Sequence, residues 1–234
     1  MCGISQPFPL TSWDLLAAAS GHGAQSATAL NEFAERYYAA VRAFIAAITR
    51  NPDDAEDLTQ RFFETVILSG RLLMRADPHK GRFRSYLKQA IRNFLVDEHR
   101  RSGRSVNPEV RPDDLQEGWD SIAIEPSPGP DAALLRAWAR SLVAMAVTRL
   151  EALCEAKGQR QHFELFVHRY VQDPDHPPPW REVGKKFELD EKTARSRAET
   201  AARHFRALLR NLIASDLGSE EDIDSELQSV IAVL

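Results

Sequence analysis

Apolar residues recur at helical spacing along most of the chain. Between residues 30 and 49, Phe33, Tyr37, Val41, Phe44/Ile45 and Ile48 fall on one face of a 3.6-residue period, which predicts an amphipathic helix. Asn51-Pro52-Asp53-Asp54 interrupts it, and Asp53 with Glu56 three residues on has the spacing of a capping box for the next helix. That second helix turns Leu58, Phe62, Val66 and neighbouring Ile67 inward, and Ser69-Gly70 closes it. After a turn at Asp77-Pro78-His79-Lys80-Gly81, a third helix runs from Arg82 to about Arg101, with Phe83, Leu87, Ile91 and Phe94/Leu95 inward. Three helices of this length can close a small bundle.

Residues 102–130 break the pattern. The stretch carries Pro108, Pro112, Pro126, Pro128 and Pro130, is acidic and shows no period, so it reads as an extended linker. Helix resumes at Asp131, an N-cap candidate, with Leu135, Trp138, Leu142, Ala146, Leu150 and Leu153 as its stripe and Gly158 as its stop. A shorter helix carries Phe163, Phe166/Val167 and Tyr170. A proline-rich loop over residues 173–179 leads to two further helices, at about 180–187 and 191–214. The expected fold is therefore all-α, with helical domains over 30–101 and 131–215. They are flanked by an N-terminal extension (1–29) and an acidic tail (216–234), and joined by the acidic linker (102–130).

Composition agrees, since Ala, Leu, Arg and Glu dominate every long segment while β-branched residues are sparse. The net charge of −4 would argue against a nucleic-acid binder, but the charge is segregated. Residues 71–104 hold ten Lys/Arg against three Asp/Glu, whereas residues 109–131 hold seven acids and one Arg. Residues 181–210 are again basic, with nine Lys/Arg against five acids, and residues 216–226 hold six acids and no base. Alternating blocks predict two anion-binding surfaces separated by acidic connectors. The apolar runs are too short to span a bilayer, and residues 1–10 lack a basic head followed by an apolar run, so a cytoplasmic protein is expected. Of the two cysteines, Cys154 is read as a reduced, buried thiol. The seven histidines pair with no Ser or Cys in a nucleophile motif, glycine-rich phosphate loops are absent, and Cys154, His162 and His168 match no zinc spacing. Neither an enzyme, nor a metal site, nor a cofactor is expected.

Three segments carry candidate chemistry. Arg181 to Phe187, a three-residue connection Glu188-Leu189-Asp190, and the helix after it have the form of a helix-turn-helix, with Asp190 placed to cap through the amides of Lys192 or Thr193. Val183, Phe187, Leu189, Ala194 and Ala198 would pack the corner, and Gly184 would let the second helix cross closely. Glu191, Lys192, Thr193, Arg195, Ser196 and Glu199 then lie at the end that such motifs insert into the major groove. On the third helix, Arg84, Lys88 and Arg92 stand at i, i+4 and i+8 and form a basic ridge roughly 12 Å long. It serves either as a phosphate track or as a solvated face. Phe83 and Phe94 beside it are read as core, and Tyr86 is left open between core and base-stacking platform. On the second helix, Asp57, Gln60, Arg61 and Glu64 share a polar face that, taken alone, is a wet surface.

Together these segments resemble a known family. Ala55-Glu56-Asp57-Leu58-Thr59-Gln60-Arg61-Phe62-Phe63 resembles the core-polymerase-binding helix of region two in extracytoplasmic-function sigma factors, of the sigma-70 family. Arg82-Phe83-Arg84-Ser85-Tyr86-Leu87, continuing to Asn93-Phe94-Leu95-Val96-Asp97-Glu98-His99-Arg100-Arg101, resembles the helix that melts and reads the minus-ten element. Residues 180–210 are similar to the region-four helix-turn-helix that reads the minus-thirty-five element. The resemblance implies that Asp57, Gln60, Arg61 and Glu64 bind core RNA polymerase. It implies too that Arg84, Tyr86, Lys88, Arg92, Asn93, Asp97, Arg100 and Arg101 face the minus-ten DNA. Core RNA polymerase and promoter DNA are thus the implied partners, and an anti-sigma factor is one further partner the family admits. Three departures stand out: Tyr86 where the family often has Trp, Glu188 where Gly is usual in the turn, and Ala194 in place of a larger β-branched residue. A stand-alone helix-turn-helix regulator would explain the C-terminal half equally well, but leaves the paired region-two motifs unexplained. The acidic tail is either a regulatory segment or a solvated end.

Overall fold

The computed structural model describes residues 12–19, 24–49, 51–69, 72, 83–101, 129–214, 223 and 228. Among them the protein is all-α, with α1 (Ser12–Ala19), α2 (Ala24–Thr49), α3 (Pro52–Phe62), α4 (Phe83–Arg101), α5 (Pro130–Ala156), α6 (Arg160–Phe166), α7 (Trp180–Lys186) and α8 (Glu191–Ala214). One π-helical turn continues α3 over Phe63–Ile67 and another continues α6 over Val167–Val171. The expected turn at 77–81, the linker over 102–128 and nearly all of the acidic tail lie outside the described residues. Two compact units are formed, Met1–Ser141 with Ile213–Leu234, and Leu142–Leu212.

In the first unit, aromatic rings join the helices. Phe83 opens α4 and is fully buried against α2, its ring centroid 5.9 Å from Phe33 at 87° and 5.1 Å from Tyr37. Phe94, three turns on, meets Phe62 of α3 at 5.4 Å. Edge-to-face pairs of this kind add to the area they bury. Phe83 and Phe94 are core, as the apolar stripe predicts.

The structure corrects the second helix in two ways. The cap is Asn51, whose Oδ1 accepts from the Asp53 amide at 3.1 Å, with Pro52 at the first helical position. Glu56, expected to complete a capping box, instead accepts from Tyr38 and Arg42 of α2, each at 2.6 Å. The inward residues are Ala55, Thr59, Phe62, Phe63 and Ile67, while Leu58 and Val66 are only half-buried. For Val66 the π turn is the reason: closing Leu68 N–H onto the Phe63 carbonyl (2.9 Å) inserts one residue, so Ile67 takes the place that Val66 holds in a continuous α-helix.

The sequence reading left residues 1–29 without structure, and here it missed a helix. α1 packs on α2, burying Leu15, Leu16 and Ala19, and α2 itself begins at Ala24. Ser12 Oγ lies 2.7 Å from Tyr37 Oη and accepts from Arg36 Nη1 at 3.3 Å, with Glu32 3.4 Å from the same guanidinium. Arg36 is fully buried, so this polar cluster is what allows a cation inside the bundle.

α5 starts one residue before the expected cap: the Ala133 amide bonds the Gly129 carbonyl at 3.0 Å, and Asp131 lies in the first turn instead of capping it. Its buried stripe runs through Leu134, Trp138, Ala139, Leu142, Met145, Ala146, Leu150 and Cys154, so Leu134 and Cys154 replace the expected Leu135 and Leu153. Gly158, at φ 64°, ends the helix as expected.

In the second unit, Leu150, Cys154, Phe166, Ala201 and Ala202 form one apolar cluster, with Phe163, Val167, Phe205 and Leu208 against it. Cys154 is a free buried thiol, its pKa pushed up by burial. A second cluster sets the corner between α7 and α8: Leu165, Val183, Ala194 and Ala198 are buried beneath Trp180, Phe187 and Leu189. All five residues expected at the corner belong to it. Tyr170, expected on an inward stripe, is 38% exposed beside Val171 at 41%, because the π turn rotates them outward.

The corner itself is tight. The Leu189 amide bonds the Gly184 carbonyl at 2.9 Å, and the Glu188 amide reaches the Lys185 carbonyl at 3.4 Å. That pattern requires a left-handed residue between them, and Glu188 supplies it at φ 55°. A Cβ on Gly184 would lie 2.8 Å from the Leu189 carbonyl oxygen, so only glycine fits. Gly184→Ala is expected to destabilise this unit by about 1–3 kcal/mol, whereas Glu188→Gly is expected to stabilise it by about 1 kcal/mol by removing the left-handed penalty. Urea unfolding of both variants checks this. Shifts of the same sign would mean that the turn geometry described here is wrong.

Candidate nucleic-acid interface

The polar face of α3 remains in solvent where the sequence placed it. Asp57, Gln60 and Glu64 are exposed, and Leu68, 48% exposed, continues this surface beyond the π turn. Glu56 at its edge is held ionised: hydrogen bonds from Tyr38 and then Arg42 lower its pKa. Arg61 differs from the other three. It forms an ion pair with Glu98 of α4, which is only 6% exposed and is also held by Arg101 at 3.0 Å. Arg61 and Arg101, expected on a polymerase face and a DNA face respectively, thus share one buried carboxylate.

On α4, packing Phe83, Leu87, Ile91 and Phe94 inward leaves the cations on another side. Asn93, Asp97 and Arg100 are exposed, with Gln89 donating to the Asn93 side chain at 3.0 Å. Tyr86 is half-buried and its hydroxyl donates to the Leu72 carbonyl, which anchors the ring to the segment before α4. Arg84, Lys88 and Arg92 do form one ridge, but it is not bare. The guanidinium of Arg84 stacks 3.9 Å from the ring centroid of Trp138, and the Asp131 carboxylate bridges Lys88 (3.2 Å) and Arg92 (3.5 Å). Asp131 and Trp138 both belong to the first turns of α5, in the same compact unit as α4. A neighbour for the ridge could not be foreseen from the sequence, because the linker before α5 leaves its placement open.

In the second unit, the N-terminal end of α8 presents Glu191, Lys192, Arg195, Ser196 and Glu199 to solvent. Thr193 is half-buried, and its amide donates to the Asp190 carboxylate at 2.9 Å, the cap expected from the sequence. Bonds from the Thr193 side chain and amide lower the pKa of Asp190. Arg195 pairs with Glu199 one turn on at 2.8 Å, so part of its charge is engaged within the helix. Further along α8 the sequence reading missed Arg203 and Arg206, which with Tyr170, Ser196 and Glu199 line an open, polar hollow. Arg203 stands at i+4 and Arg206 at i+7 from Glu199, and that helical spacing was the available signal. No helix among the described residues is long and apolar enough to cross a membrane, and none of their His, Cys, Asp or Glu groups is arranged to hold a metal ion.

Residues 33–105 match the family model of sigma-70 region 2. The matched stretch takes in most of α2, all of α3 and all of α4, the helices that carry the two region-two motifs. The match shows a region-two segment in this part of the chain and lies outside the second unit. No curated protein and no solved structure matches the chain.

Two histidines behind the α8 surface give the second unit a pH dependence. His162 has its pKa lowered by burial and then by Arg197, and His204 by burial and then by Lys157, whose Nζ lies 3.5 Å from His204 Nε2. Both fall below the usual 6.5, so the unfolded chain binds protons first and the stability these groups confer, full above about 6.5, is lost as pH falls. The urea midpoint of the second unit is expected to drop between pH 7.5 and 5.5, and His162→Gln with His204→Gln is expected to flatten that slope. An unchanged slope in the double variant would assign the effect elsewhere.

Proposed function

We propose that the chain is an extracytoplasmic-function type sigma factor that binds core RNA polymerase in the cytoplasm and directs promoter recognition. The observation that carries this reading is the sigma-70 region 2 match, laid over a helical unit in which α3 keeps Asp57, Gln60 and Glu64 exposed. In the proposal those three side chains dock on the polymerase. Arg61 braces α3 against α4 through Glu98, in addition to any contact of its own.

The α4 surface takes the minus-ten DNA. Arg84, Lys88 and Arg92 line up with the phosphates, Asn93, Asp97, Arg100 and Arg101 lie toward the helix end, and Tyr86 gives the ring its fixed position. Holding bases out of the stack costs a few kcal/mol, which stacking and phosphate contacts must offset. The α7–α8 pair acts as the region-four helix-turn-helix. Glu191, Lys192, Arg195, Ser196 and Glu199 enter the major groove at the minus-thirty-five element, and Thr193 is held at the groove end through its capped amide. Region two then spans 30–101 and region four 131–215, joined by the acidic linker. The chain performs no catalysis and needs no cofactor. An anti-sigma factor is one further partner such a factor admits, and the acidic tail is either a regulatory segment or a solvated end.

Size-exclusion chromatography with bacterial core RNA polymerase tests the reading. The wild-type chain is expected to co-elute, and the Asp57→Arg, Gln60→Ala double variant is expected to lose co-elution while keeping its helical circular dichroism. If the wild type fails to bind, and fails again after removal of residues 216–234, the polymerase reading falls. Tight duplex binding by the isolated chain would then favour a stand-alone regulator.

A further inference from the structure

The geometry points to an intramolecular clasp: the first turns of α5 hold the α4 cations through Asp131 and Trp138, and DNA must displace them to use the ridge. The inference rests on the DNA-binding reading of α4. Three contacts, spaced along two facing helices, define it. Arg84 lies on the face of Trp138 at 3.9 Å, and Lys88 and Arg92 share the two carboxylate oxygens of Asp131 at 3.2 and 3.5 Å. These are the three residues that form the ridge, and each is engaged by the same short stretch of α5.

The chemistry resembles that of the ligand. A carboxylate bridging two cations stands where a phosphate would, and an indole under a guanidinium stands where a base would. Asp131 also lies in the first turn of α5, where the helix dipole favours a negative charge, so the anion is stable there without forming a cap.

The clasp is also weak enough to open. Lys88, Arg92 and Asp131 are 29%, 36% and 56% exposed, so their ion pairs are hydrated and screened by salt. Trp138 is fully buried, yet its Nε1–H has no acceptor among the described residues, an unmet donor that makes the closed state less favourable than its packing suggests. Competition for one set of cations then couples DNA binding to release of residues 130–141 from α4. A DNA backbone that offers several phosphates at once outbids one carboxylate.

The test uses the full chain and a fluorescent single-stranded oligonucleotide of mixed sequence, read by anisotropy at low and moderate salt. Asp131→Asn is expected to tighten binding by about three- to tenfold. Asp53→Asn, which removes the same charge from the start of α3, controls for net charge and is expected to change binding far less. Adding Lys88→Gln to Asp131→Asn is expected to remove most of the gain. A DNA-free measurement runs beside it: acetylation of Lys88, followed by mass spectrometry, is expected to be faster in Asp131→Asn and unchanged in Asp53→Asn. Equal effects of the two Asn variants in both measurements overturn the clasp, whatever the polymerase does. A chain that fails to bind polymerase but shows the Asp131-specific gains keeps the clasp and loses the sigma reading.

Discussion

The contact of Phe83 with Phe33 and Tyr37 fixes how α4 is rotated about its own axis, and the functional surface follows from that rotation. A helix presents its residues at 100° intervals, so once Phe83 is seated and Phe94 is held by Phe62, every other side chain of α4 has its direction assigned. Arg84, Lys88 and Arg92 are then forced onto one line, and Glu98 is forced inward, where it collects Arg61 and Arg101. Neither the basic ridge nor the carboxylate brace needs an independent cause. A single aromatic anchor at the start of the helix and one near its end determine both.

Much of this was legible because periodicity carries it. The spacing of Phe83, Leu87, Ile91 and Phe94 identified both the buried face and the residues opposite it, and the corner residues of α7 and α8 were read correctly down to the Asp190 cap. What periodicity cannot show is an added residue within a turn. The π turns after Phe62 and Phe166 moved Ile67 inward past Val66 and turned Tyr170 outward, whereas the one-residue shifts to Leu134 and Cys154 on α5 have no such cause. Capping signals were ambiguous in a similar way. Asn51 and Asp53 are both good caps by residue type, and the choice was made by Tyr38 and Arg42, which draw Glu56 away to α2.

Charge was legible as blocks but not as partners. The sequence separates a basic α4 from an acidic stretch ending at Asp131, and that segregation is what allows the two to meet. Which acid would meet which base depends on where a proline-rich connector returns the chain, and connectors of this kind carry no period to read. The left-handed Glu188 illustrates the opposite case. Its residue type argues against the turn, yet the turn forms, because backbone bonds to Gly184 and Lys185 close it and the apolar corner beneath holds it.

The buried cluster of Ser12, Arg36 and Tyr37 separates two boundaries that are easily confused. The stretch similar to sigma-70 region 2 begins at residue 33, but the cation inside that stretch is sealed by a hydroxyl that lies upstream, on α1. The limits of the family match and the limits of the buried packing therefore differ by some twenty residues. The interior of the helical unit extends past the matched stretch, so α1 is not an appendage to it but one of its walls.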